Sequence, residues 1–289
     1  RNVGHLMTNS AILDKDGNFT IKNVRKGKYA LRAYSTKGDI TDELQKKDIT
    51  VDSETTDLGI IDWTPACYEN KLFQIGENNR MSDGFNLSDH IRAYGLWEQL
   101  PANLTFTASV SNEKTDWYYA QGKNGTWTVK FNCPQTYSGN THLTISAAGV
   151  TNSPKLAIAV NGSTVANWAP SPNDAAIYRS AVLGGRHRLY TITFPASKLK
   201  KGENTLALKM SGIGKNGGIM YDCIKLETGN AVVNSIIQPS ASDNQPIEIY
   251  TLNGMRMGKF ITISEAQPSL PRGIYIFRQG AKTGKFVKQ

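Results

Sequence analysis

Between Arg92 and Trp127 the chain places three of its five tryptophans, Trp97, Trp117 and Trp127, among Tyr94, Tyr118, Tyr119 and the charged residues Arg92 and Asp116. An aromatic face bordered by charged hydrogen-bonding groups suits a sugar ring, because axial C–H groups lie on the π-face while rim hydroxyls take polar partners. In such a site the Arg92 guanidinium would pair with an anionic group of the ligand, Tyr94, Trp97 or Trp117 would stack on the ring, and Asp116 and Tyr118 are further candidates. Aromatics in a β-rich chain equally fill a core. The two readings differ in exposure. A binding face leaves at least two of Tyr94, Trp97, Trp117 and Tyr118 at the surface, whereas a bracing role buries all four.

No catalytic constellation stands beside this stretch. His5, His90, His142 and His187 are scattered without ligand or triad spacing, and no G-x-S-x-G, P-loop or H-E-x-x-H pattern occurs. Cys67, Cys133 and Cys223 are odd in number and far apart, which fits buried free thiols rather than a disulfide framework or a C-x-x-C metal site. The net charge of +9 is unevenly placed. Residues 1–65 carry 10 basic and 10 acidic groups, residues 66–231 carry 16 and 11, and residues 232–289 carry 7 and 3. A basic middle and tail could meet nucleic acid, a membrane surface or an acidic polysaccharide. Nucleic acid fits poorly, since zinc-knuckle spacing, an RRM-like aromatic signature and dense Lys/Arg runs are all missing. No apolar run reaches the roughly 18 residues of a membrane span, and the first ten residues lack the apolar core of a signal peptide.

The elements that position these residues read as all-β. Length favours two or three compact units. In residues 1–65, Asp16-Gly17 is a hairpin signal, and Phe19, Ile21, Tyr29, Leu31 and Ala33 alternate with polar residues as in half-buried strands. Residues 46–63 supply two more strands, giving a small antiparallel sandwich. From residue 66 to 230 short strands alternate with Gly, Asn, Pro and Ser turns, Asn161-Gly162 among them, as in a double-sheet jelly roll with little helix. Residues 231–289 open with a polar linker and continue into a small β-domain, in which Asn253-Gly254 turns a hairpin and Gly273 to Phe277 forms a strand needing a partner.

The pattern D-x-x-G-x-F-x-I-x-N-V-x-x-G-x-Y-x-L-x-A resembles fibronectin-III-like modules that sit beside catalytic domains. L-F-Q-I-G-E-N-N-R, R-A-Y-G-L-W, D-W-Y-Y-A-Q, P-A-S-K-L-K-K-G-E-N-T-L-A-L and M-Y-D-C-I-K-L-E resemble the C-terminal region of rhamnogalacturonan lyases of polysaccharide lyase family 4, over about residues 10 to 228. That resemblance implies a fibronectin-III-like sandwich followed by a carbohydrate-binding jelly roll. It also implies an acidic pectic polysaccharide as partner and a catalytic β-sandwich on the N-terminal side, whose Lys and His motifs have no match here. The chain is therefore expected to be a non-catalytic part of a longer lyase. Such jelly rolls often hold a structural calcium ion near their first and last strands, which implies Glu77 and Asp222 as ligands; no other cofactor is expected. The tail, with L-x-G-x-x-x and then L-P-R-G-I-Y-I, is similar to the C-terminal sorting domains of Bacteroidetes proteins, which implies export.

Overall fold

The structure is a computed structural model that describes residues 9–14, 17–35, 40–90, 93–179, 184–231, 246–261, 263–271, 273–279 and 282–288. Its architecture is all-β. Strands β1 (Gly27–Tyr34) and β2 (Glu43–Val51) form an antiparallel two-stranded sheet with an irregularity between Tyr29 and Leu31. Phe19, Ile21 and residues 58–63, all expected in strands, lie outside any strand, and Asp16 of the expected hairpin lies outside the described residues. Alternation gives a segment one apolar face, but a strand also needs a neighbour for its ladder.

The central unit is a sandwich of two five-stranded sheets. Its strands are β3 (Tyr68–Ile75), β4 (Leu104–Thr107), β5 (Ala120–Gln121), β6 (Gly125–Cys133), β7 (Asn140–Thr151), β8 (Lys155–Val160), β9 (Ser163–Trp168), β10 (Arg188–Pro195), β11 (Gly202–Ser211) and β12 (Gly218–Ala231). One sheet runs β10-β7-β12-β3 with β5 also on β12, and the other runs β4-β6-β11-β8-β9. Asn161 and Gly162, at φ 48° and 80°, make the tight turn between β8 and β9. Helix is scarce among the described residues, as α1 (Glu113–Asp116) illustrates, and Cys67, Cys133 and Cys223 are free thiols.

Between the sheets Ile75, Leu143, Ile145, Ile158, Leu206, Leu208, Ile224 and Leu226 are fully buried. Trp117 and Trp127 meet edge to face at 4.9 Å, and Tyr221 tilts against both. Trp127 donates its indole N–H to Pro101 O at 3.3 Å. The half-buried Trp168 of β9 stacks on Tyr190 of β10 at 5.0 Å and 8°, joining the outermost strands of the two sheets.

The loop after β3 ties the first sheet to the sandwich. The Asp222 carboxylate on β12 accepts N–H groups from Asn79 at 3.0 Å and Arg80 at 2.9 Å, and also the Ser146 hydroxyl. From this anchor Asn78 donates its amide to Ser35 O and Ile40 O, while the Arg80 guanidinium binds Glu43 and lies over the Tyr34 ring. Gly76 starts the loop at φ 78°, and a Cβ there would collide with Asp222 O and the Phe85 ring.

The last unit is a four-stranded antiparallel sheet of order β14-β13-β15-β16, with β13 at Ile247–Thr251, β14 at Arg256–Phe260, β15 at Gly273–Gln279 and β16 at Lys282–Lys288. Its core is Ile247, Ile249, Ala266, Leu270, Tyr275 and Phe277. Gly254 takes φ 81° in the β13–β14 turn, and β15 finds partners on both sides. The expected linker falls mostly at residues 232–245, outside the described residues.

Candidate functional site

The loop between β3 and β4 carries Tyr94 and Trp97. Gly95, at φ 82°, caps a 3-10 turn over Leu96–Gln99, and buried Leu96 and Leu100 pin that turn to the core. This presents Tyr94 outward, 74% exposed, and folds Trp97 under it, 4% exposed, with the rings edge to face at 5.0 Å. The loop after β9 brings Tyr178 to the same place, 43% exposed, over buried Ala176 and Ile177. Asp174 fixes that loop by accepting from Ala176 N, Val150 N and Arg186 N. Tyr178 stacks on Trp97 at 5.9 Å and 18° and meets Tyr94 edge-on at 5.7 Å. A hydrogen bond with Tyr178 holds the Tyr94 phenol above its ordinary pKa. The result is a ledge of two exposed phenol rings on a buried indole.

Trp97 also walls a pocket of about 430 Å³, completed by Glu98, Lys123, Lys215 and Asn216 among others. Lys123 sits in the β5–β6 turn and donates to Glu98 O at 2.9 Å, while Lys215, from the β11–β12 loop, pairs with Glu98 Oε1 at 3.2 Å. Asn124 bonds both the N–H and the C=O of Ile213, and Asn152 donates to Lys215 O and Asn216 Oδ1, so the loops are fixed by amides. The Trp97 indole N–H is buried without an acceptor.

The expected site residues separate. Tyr94 lies on the ledge and Trp97 supports it from below. Trp117 corrects the expectation of a third stacking face, because it is fully buried between Phe106, Trp127 and Tyr221. Tyr118 is half-buried against the core, and Asp116 spends its oxygens on Asn112 N and Thr115 Oγ1 of its own turn. Arg92 lies outside the described residues. One of the four aromatics is well exposed, so neither simple outcome, two at the surface or all four buried, holds. Tyr178, Lys123 and Lys215 were not singled out in the sequence, since only the fold brings their loops to Trp97.

The residues implied for calcium do not fit that ion. Asp222 already faces three hydrogen-bond donors, Glu77 is exposed, and no group of three or more His, Cys, Asp or Glu able to hold a metal occurs among the described residues. Burial raises the Asp222 carboxyl to about 6. His187 Nε2 lies 2.8 Å from Ser146 Oγ, a Ser/His/Asp meeting that sequence spacing did not reveal. It is not a nucleophilic triad, because Ser146 is fully buried and gives its proton to Asp222. Burial first, then Arg80, Arg32 and Arg188, lower His187 to about 3. His90 pairs with Asp89 at the surface, and His142 stacks on Tyr68.

A larger groove of about 690 Å³ runs past Phe73, Phe106, Val110 and Glu113, but both of its rings are buried. The ledge and the smaller pocket are therefore the candidate site.

Comparison with known proteins bears on the first two units. Residues 71–226 match the model described as polysaccharide lyase family 4, domain III, which is CBM-like, and residues 9–58 match that family's domain II. Rhamnogalacturonate lyase of Dickeya dadantii is 37% identical over 227 residues, covering 75% of this chain and 38% of that protein. The chain thus spans little more than a third of that relative. Among solved structures, a family 35 carbohydrate-binding module from an environmental isolate is 17% identical, covering 39% of this chain and 70% of its own at a TM-score of 0.26. Another from Clostridium thermocellum is 20% identical, covering 34% and 68% at a TM-score of 0.24. With more than half of its length matched by the domain III model, the chain belongs to polysaccharide lyase family 4 and comprises that family's non-catalytic domains II and III.

Proposed function

We propose that this span holds an acidic pectic polysaccharide, rhamnogalacturonan, for cleavage by a catalytic domain of the same protein. The observation that carries the reading is the juxtaposition of two exposed rings, Tyr94 and Tyr178, with a pocket bearing two lysines. A pyranose lies flat on the open face of one of these rings through its C–H groups, with the other ring, inclined at 89°, at its edge, and its rim hydroxyls meet the amides beside it. Eliminative cleavage needs a base at C5 and donors for the developing enolate. No exposed cluster of that kind occurs among the described residues, and the span is read as binding and positioning. Domains that work on plant cell-wall polymer act outside the cytoplasm, and the C-terminal sheet is assigned the sorting role implied by its L-P-R-G-I-Y-I motif. No helix is long and apolar enough to cross a membrane among the described residues.

Calorimetric titration with rhamnogalacturonan oligosaccharides at low salt tests this, with neutral galactan and unbranched polygalacturonate as controls. Selective heat that is lost in Tyr94→Ala supports binding. Burial of Trp97 and Trp117 favours a second reading, in which the domains only brace the catalytic sandwich. Absence of heat and of any melting shift with all three ligands would leave that reading standing.

A further inference from the structure

We propose that the pocket beside the ledge reads the carboxylate of a uronic acid residue, using Lys123 and Lys215, and that Glu98 is the internal anion this carboxylate displaces. The inference rests on the ledge binding sugar rings, and it adds which ring and by which group.

The pocket holds two ammonium groups against one carboxylate. Lys123 gives one of its three protons to Glu98 O and keeps two. Lys215 meets Glu98 Oε1 across 3.2 Å with both side chains largely exposed, 77% and 61%, so the pair is weak and easily exchanged. The Trp97 indole N–H is buried without an acceptor and, having no accessible surface, adds no donor to the pocket. Asn124 has spent both ends of its amide on Ile213, and Asn216 Oδ1 already accepts from Asn152, which leaves the Asn216 amide N–H groups to donate. Donors therefore outnumber acceptors, and the missing partner is anionic and rich in acceptors. A carboxylate fits this imbalance, and since Trp97 belongs to both pocket and ledge, the carboxylate sits one step from a stacked ring. Glu98 satisfies Lys215 while the site is empty. It also repels any carboxylate that fails to reach Lys215, which sharpens discrimination.

Calorimetry with two forms of one rhamnogalacturonan oligosaccharide, native and with carboxyls reduced to alcohols, tests the assignment on the full chain. The wild type is expected to bind the native form roughly tenfold more tightly, as a charge-assisted contact provides. Lys123→Ala with Lys215→Ala should lower the native form to the affinity of the reduced one and leave the reduced form unchanged, whereas Glu98→Gln should tighten the native form alone. Lys200→Ala with Lys201→Ala removes the same charge beside the far end of β11 and should change neither. Equal affinity for both forms, with Tyr94→Ala abolishing both, would overturn the carboxylate assignment and keep the ledge. A uniform loss for both forms in the lysine variant would reduce the lysines to shaping the pocket. No binding of either form removes the ledge reading and this one together.

Discussion

Tyr178 lies over Trp97 with ring centroids 5.9 Å apart and planes inclined by 18°, although the two residues come from loops separated in the chain by strands β4 to β9. The indole is 4% exposed and the phenol 43%, so the buried ring fixes the orientation of the one that meets solvent. Removing the upper ring should cost affinity without costing the fold. Tyr178→Ala is expected to weaken oligosaccharide binding about threefold to tenfold, the worth of one stacking contact, with an unchanged thermal midpoint. Calorimetry and a melting curve on the same sample check both halves.

Trp117 behaves in the opposite way. Its ring is fully enclosed by Phe106, Trp127 and Tyr221, so truncation leaves a cavity in the centre of the sandwich. Trp117→Ala should destabilise the central unit by about 3–5 kcal/mol, while the molecules that remain folded keep their affinity. Urea unfolding followed by tryptophan fluorescence gives the first quantity. Titration well below the midpoint gives the second.

Much of the fold was legible because period-two alternation and turn chemistry act locally. Asn161, Gly162 and Gly254 sit at φ values only such residues take easily, and the strands on either side follow from them. The ligand ledge was half legible. Tyr94 was visible as an aromatic in a polar loop, but Trp97 and Trp117 carry the same local signature and differ only in what packs against them. Tyr178, Lys123 and Lys215 were invisible, since proximity across loops is a property of sheet order rather than of spacing. Phe19 and Ile21 failed in the other direction, where a good alternation lacks a neighbouring strand among the described residues.

The anchor on Asp222 should be separable from the grip on the first sheet. Arg80→Ala removes the ion pair with Glu43 and the contact with Tyr34 but leaves the Arg80 N–H on Asp222. Amide exchange should therefore accelerate in β1 and β2 and stay slow in β7 and β12. Asp222→Ala strips acceptors from Asn79 N, Arg80 N and Ser146 Oγ together, at about 1–3 kcal/mol for each donor left buried, and should loosen both regions.

The same anchor predicts how stability answers to acid. His187 is lowered from 6.5 to about 3, so the unfolded chain takes up a proton that the folded chain refuses, and stability falls as pH drops from 6.5 toward 3. Asp222 is raised from 3.8 to about 6, so the folded chain takes up a proton first, and stability rises as pH drops from 6 toward 3.8. Each slope is about 1.4 kcal/mol per pH unit and the signs are opposite, so between pH 6 and 4 these two contributions cancel. Below 3.8 only the His187 loss continues. Replacing His187 exposes the hidden partner: His187→Gln retains a side-chain donor for Ser146 and cannot titrate. Urea midpoints for that variant should rise relative to wild type as pH falls from 6 to 4, and Asp222→Asn should show the reverse. Parallel profiles for wild type and His187→Gln across this window would show that the imidazole is not held neutral by its burial.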